Sequence, residues 1–124
     1  GNPHRVKKLL NNTGSSLSEA QINFYKALFK DKSHVEGALL MMSQWNLDRL
    51  LLRLSELQTA TLLIAGDQDK TVLPEIASQM AHALPQGEFR ILKNLGHLAH
   101  EEDAEQIFEV IAAFIARREK LSAK

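Results

Sequence analysis

An α/β fold is predicted, with a parallel strand, helix, strand, helix run at the C-terminal end and an all-helical segment before it. Two observations carry this reading. The hydrophobic period changes from helical to strand-like near Gln58-Thr59, and two short apolar runs beyond that point are separated by one amphipathic stretch. Such a unit is a right-handed parallel β-α-β with a trailing helix, which normally belongs to a larger sheet.

In the N-terminal half, Ser16-Leu17-Ser18-Glu19 fits a capping box in which Ser16 bonds the amide three residues on and Glu19 reaches back, so a helix is expected from about Leu17 to Lys30. Ala20, Phe24, Ala27 and Leu28 share one face, and Ile22, Tyr25 and Phe29 widen it, which predicts a helix sandwiched between layers. Ser33-His34-Val35-Glu36 repeats the capping pattern and opens a helix with Val35, Ala38, Leu39 and Met42 on one face, ended by Trp45-Asn46. A third, short helix with Leu47, Leu50, Leu51 and Leu54 runs to Glu56. The boundary at Gln58-Thr59 divides residues 1–57, the helical segment, from residues 58–124, the β-α-β-α portion.

Past the boundary, Ala60-Thr61-Leu62-Leu63-Ile64-Ala65 is an unbroken apolar run closed by Gly66, as expected of a strand buried on both faces. Pro74 starts a helix in which Ile76, Met80 and Leu84 recur every fourth residue, and Pro85-Gln86-Gly87 stops it. Glu88 to Leu92 is the second strand. A loop from Lys93 to about Glu102 leads to a final helix with Asp103 as cap, Gln106 completing a capping box, and Ile107, Ile111, Phe114 and Ile115 as its buried stripe.

Composition narrows the function. With 44% hydrophobic and 24% charged residues, the 124-residue chain is ordinary for one globular domain. Fifteen basic and fifteen acidic side chains cancel, so the electrostatic footprint that nucleic acid or an anionic membrane requires is missing. No cysteine is present, which removes disulfides and thiolate metal sites and fits a reducing compartment, so the cytoplasm is the expected location. No apolar run approaches the roughly 20 residues that span a bilayer, and no transmembrane segment is expected. The opening Gly1-Asn2-Pro3 has no signal-peptide character and no initiator Met, which reads as a piece of a longer protein.

In open parallel sheets, functional groups gather in loops beyond the carboxyl ends of the strands. The first such loop, Gly66 to Val72, presents Asp67 and Asp69, and the second, Asn94 to His100, presents His97 and His100. A buried carboxylate that accepts a bond from one ring nitrogen of a histidine fixes its tautomer and stabilises the imidazolium, as a general base acting on a serine requires. Asp69 and His97 are the candidate catalytic pair, with Asp67 the next choice for the acid and an Asx-turn the plain alternative. No cofactor or metal is expected: the His97, His100, Glu101 string lacks both thiols and the helical His-Glu-x-x-His spacing of a zinc site.

Gly66-Asp67-Gln68-Asp69 followed by Gly96-His97 resembles the last two triad elements of the α/β-hydrolase family, whose order is nucleophile, acid, histidine. The resemblance implies that the chain is the C-terminal part of an α/β-hydrolase fold, with residues 1–57 as the helical lid that precedes the acid-bearing strand. More narrowly, Gly14-Ser15-Ser16-Leu17, His34 to Leu39, Met41 to Leu47 and Gly96-His97-Leu98-Ala99-His100-Glu101-Glu102 are similar to the hydrolase-like family associated with magnesium chelatase in bacteriochlorophyll biosynthesis, over about Val6 to Phe114. This implies a small-molecule substrate and acyl transfer or related cleavage, with Asp69 orienting His97 and His97 carrying the proton of a serine. It also implies magnesium chelatase components as partners, and it leaves a non-catalytic accessory or binding role in tetrapyrrole metallation as the alternative.

The chain departs from the family's pattern in one respect: it contains no Gly-x-Ser-x-Gly elbow and no His-Gly-Gly-Gly-type oxyanion segment, so by itself it is expected to be inactive. Ser15 and Ser16 read as helix capping. Met41, Met42 and Trp45 read as core, with a wall of an apolar pocket as the alternative. Arg117, Arg118 and Lys120 read as cations offsetting a helix dipole. Two strands make a poor sheet alone, so an N-terminal half or self-association through the Thr61 to Ala65 edge is expected.

Overall fold

The computed structural model describes residues 3–122. Helix α1 spans Pro3–Asn12, α2 Glu19–Leu28, α3 Lys32–Ser43 and α4 Leu47–Arg53, with a single 3-10 turn at Leu54–Glu56. Strand β1, Thr61–Gly66, is followed by α5, Pro74–Ala83, then β2, Gly87–Leu92, then α6, Ala99–Glu102, and α7, Ala104–Ser122. The two strands pair in parallel, in register from Thr61 opposite Gly87 to Gly66 opposite Leu92, with α5 as the crossover.

The first helices form a small core of their own beside the end of this sheet. Val6 and Leu10, one turn apart on α1, meet Ile22 of α2, and Leu17, Tyr25 and Leu98 pack around them. Helix α2 is capped by Ser18 rather than Ser16: the Gln21 amide donates to the Ser18 hydroxyl at 3.3 Å, and the Ser18 amide donates to the Gln21 side chain at 2.8 Å. The box lies two residues later than expected because the Ser16 amide is already bound by Glu102, at 2.9 Å, which keeps that segment outside the helix. The buried side of α2 is Ile22, 3% exposed, whereas Phe24 on the expected face is 73% exposed. Helix α3 starts one turn after α2 ends and is capped by Asp31, whose carboxylate accepts the His34 amide at 3.1 Å.

No residue of α3, α4 or the 3-10 turn is buried, and Met41, Met42 and Trp45 are all exposed rather than core. Strand β1 differs from expectation in the same direction. Its residues Thr61 to Ala65 are only half-buried, because β2 covers one edge and no described strand covers the other. A groove of about 470 Å³ follows β1 between α5 and the start of α7, and Ile76, Met80 and Ile107 line it. Helix α5 therefore buries Ala77 and Ala81 against the sheet and turns Ile76 and Met80 to the groove. On α7 the expected stripe is partly bare, with Ile111 and Ile115 exposed. Arg117 and Arg118 do more than offset a dipole: they hold Glu88 of β2 at 2.7 and 2.9 Å, fastening α7 across the strand. No described helix is long and apolar enough to cross a membrane.

This packing distinguishes two apolar residues of one helix. Ile22→Ala is expected to lower stability by about 2–4 kcal/mol through the cavity it leaves, and Phe24→Ala by no more than about 0.5 kcal/mol. Urea unfolding of the two variants followed by circular dichroism checks the difference.

Candidate active site

Parallel register places the carboxyl ends of β1 and β2 side by side, so the loops that follow them leave the sheet together. Asp67 joins them at the base. Its amide donates to the Leu92 carbonyl at 2.8 Å, and its carboxylate accepts the Asn94 amide at 2.7 Å. The next amide, that of Gln68, donates to the Leu95 carbonyl at 2.9 Å. Asp67 is thus engaged as a brace between loops and does not reach the histidine.

Asp69 does. It is buried, and its two oxygens have separate tasks. Oδ1 closes an Asx-turn by accepting the amides of Thr71 at 2.8 Å and Val72 at 2.9 Å, while Oδ2 accepts His97 Nδ1 at 2.9 Å. The Asx-turn and the bond to His97 therefore coexist on one side chain. Burial pushes the Asp69 carboxyl up, but the bonds from His97 and from the Val72 and Thr71 amides outweigh it and hold the group below its ordinary value near 3.8. An ionised Asp69 only accepts, so Nδ1 of His97 carries the proton and Nε2 is left as the basic nitrogen. The His97 side chain is 37% exposed against 7% for that of Asp69, so the carboxylate is withdrawn and the ring is open to a reacting group. This arrangement can take up a proton at Nε2 and stabilise the resulting imidazolium.

His100 stays apart from this pair. It is exposed, and its ring lies 3.7 Å from Glu101. Glu101 in turn accepts the hydroxyl of Tyr25, and burial together with that carboxylate pushes the Tyr25 phenol up to about 12. Among the described residues no group of three or more His, Asp or Glu side chains is placed to hold a metal ion. Ser15 and Ser16 do not cap a helix. Ser15 is buried and its hydroxyl accepts the Leu98 amide at 2.8 Å, while Glu102 accepts the Ser16 and Gly96 amides at 2.9 and 2.8 Å. Sequence reasoning passed over Thr13, Ser15 and Glu102 as site residues. The signal available was the pair of glycines, Gly14 and Gly96, which mark backbones in close approach.

The sequence model of the alpha/beta hydrolase fold matches residues 4–104. The chain belongs to the α/β-hydrolase family. Among curated relatives of this family member, the "Magnesium-chelatase 30 kDa subunit" of Rhodobacter capsulatus is 36% identical over 107 residues, which is 86% of this chain and 37% of the relative. The "Uncharacterized hydrolase YugF" of Bacillus subtilis (strain 168) is 31% identical over 112 residues, 89% of this chain and 41% of the relative. The chain thus spans about two fifths of the length of the relatives it matches. The matched region contains both loops, and the two-stranded parallel sheet is a part of the hydrolase fold.

The Asp69 environment sets a pH dependence. Because its folded value is depressed, the stability it contributes is present above the ordinary carboxylate range and is lost as pH falls through the lower folded value. Asp69→Asn is expected to flatten this acid limb, giving a variant whose unfolding midpoint changes less between pH 5 and pH 2 than that of the parent chain. Urea titrations across that range provide the measurement, and identical acid limbs would count against the assigned bonds.

Proposed function

We propose that this chain carries the acid and the base of a Ser-Asp-His triad, with Asp69 orienting His97 and His97 taking the proton of a serine that lies outside these residues. The reaction class is acyl transfer or a related hydrolysis of a small molecule, carried out with the chain's missing partner segment, and residues 1–57 act as the lid. The observation that carries the reading is the 2.9 Å bond from His97 Nδ1 to a buried Asp69, with Nε2 left free for a hydroxyl. A carboxylate at that nitrogen costs nothing at the moment of reaction and favours the imidazolium that forms.

A second reading is supported by likeness to a relative named as a magnesium chelatase subunit. On it, the fold and its pocket serve tetrapyrrole metallation in bacteriochlorophyll synthesis as an accessory or binding protein, in contact with chelatase components and without hydrolysis. On either reading we propose a cytoplasmic location. In either case the open edge of β1 and the bare faces of α3 and α4 favour association, either with an N-terminal half or with a second copy of the chain.

The readings part on chemistry. If the first holds, the longer protein labels with a fluorophosphonate and hydrolyses a p-nitrophenyl ester, Asp69→Asn lowers kcat by about 10⁴-fold, and this chain alone neither labels nor turns over. A longer protein that resists the probe, and whose retention of chelatase subunits survives Asp69→Asn, belongs to the second. Sedimentation equilibrium checks association: a monomer at micromolar concentration with Leu62 to Ala65 amides protected from exchange would show β1 self-sufficient.

A further inference from the structure

Three segments meet at the Asp69 and His97 pair, and only two of them carry those residues. The third is the turn of residues 13–15 that follows α1. The Thr13 carbonyl accepts the amides of both Lys70, at 3.1 Å, and His97, at 3.3 Å, so a single oxygen holds the residue after the acid and the histidine itself. Gly14 has φ +83, and a Cβ there would lie 1.8 Å from the Gln68 carbonyl oxygen. On the other flank, a Cβ on Gly96 would lie 2.4 Å from the backbone of Gly14. The turn is wedged, backbone against backbone, between the acid loop and the histidine loop.

Side chains complete the arrangement. The Ser15 hydroxyl, on a residue only 6% exposed, accepts the Leu98 amide at 2.8 Å. Glu102 accepts the Gly96 amide through Oε1 at 2.8 Å and the Ser16 amide through Oε2 at 2.9 Å, so its carboxylate spans from the histidine loop to the turn. As a result, three successive amides, those of Gly96, His97 and Leu98, are each bound by a different acceptor. One bond would attach the loop. Three in a row fix the position and direction of the backbone that carries the His97 side chain. A catalytic constellation has to be held within about 0.5 Å to stay productive.

We propose that Glu102 and Ser15 are positioning residues for His97, setting its backbone so that Nδ1 meets Asp69 while Nε2 stays open. This rests on the reading of Asp69 and His97 as the acid and base of a triad. Neither residue touches the reacting atoms. Their effect passes through the backbone of residues 96–98, and the charge-assisted bonds of Glu102 are the stronger of the two contributions.

The test uses the full 124-residue chain, with Glu102→Ala, Glu102→Gln, Ser15→Ala, Asp69→Ala and the surface control Glu105→Ala. The readouts are the proton signal of His97 Nδ1, the carbon titration of the Asp69 carboxyl, and the unfolding temperature. In Glu102→Ala and Ser15→Ala the slowly exchanging Nδ1 proton is expected to be lost and Asp69 to titrate at higher pH, toward the ordinary range. Glu102→Gln, which keeps one acceptor oxygen for the Gly96 amide and loses the one at the Ser16 amide, should weaken the signal less than Glu102→Ala does, and Glu105→Ala should leave it unchanged. Variants that lower the unfolding temperature but leave the Nδ1 signal and the Asp69 titration unchanged would assign both residues a structural role only and overturn the proposal. If Glu102→Ala fails to fold, Ser15→Ala decides on the same readouts. Asp69→Ala, which removes the acceptor, separates the two readings: an Nδ1 signal that survives it removes the pair itself. Its loss there with retention in Glu102→Ala and Ser15→Ala removes the positioning role alone.

Discussion

The parallel pairing of β1 and β2 is the constraint from which the site follows. Parallel strands in register end at the same level, so the loop after Gly66 and the loop after Leu92 have no choice but to leave side by side. A shift of the pairing by one residue would reverse the faces of every side chain on the strand and move the loop bases apart. The braces at Asp67 and Gln68 add to the ladder where it stops, carrying the hydrogen bonding of the sheet into the loops and leaving Asp69 three residues beyond the strand end.

Within that frame the charge logic is economical. A buried carboxylate is costly unless its oxygens are bound, and Asp69 satisfies one through the amides of its own turn and the other through His97. The His97 bond and the turn amides together hold it ionised, and an ionised Asp69 in turn requires His97 to carry its proton on Nδ1. Local turn chemistry and the tautomer of a residue 28 positions away are therefore one problem with one solution.

The distribution of burial divides the molecule. The cluster of Val6, Leu10 and Ile22 and the alanine face of α5 are well covered, the first with Leu98 of the histidine loop packed beside it and the second against the sheet. Helices α3 and α4 bury none of their residues, and no described strand pairs with the second edge of β1. Apolar side chains such as Leu39, Leu40 and Met41 of α3, each more than half exposed, are held in helical order, a state that favours association.

Periodicity and short motifs in the sequence determined the class of fold, the order of its last four main elements and the two loops worth attention. Those features are local: an apolar run ended by Gly66, a helix opened by Pro74, an Asp and a His after two strands. Family resemblance rested on the same short stretches and on the helical segments before them. What sequence could not supply was which face of a helix is used. Phe24 and Ile22 are equally apolar, and only the placement of α1 and the histidine loop decides that Ile22 is buried and Phe24 is not. Capping moved from Ser16 to Ser18 for the same reason, since the Ser16 amide is claimed by Glu102, 86 residues away. The clasp of Thr13, Ser15 and Glu102 around His97 was likewise decided by tertiary structure alone, because hydrogen bonds between distant backbones leave no period and no spacing in the chain that makes them.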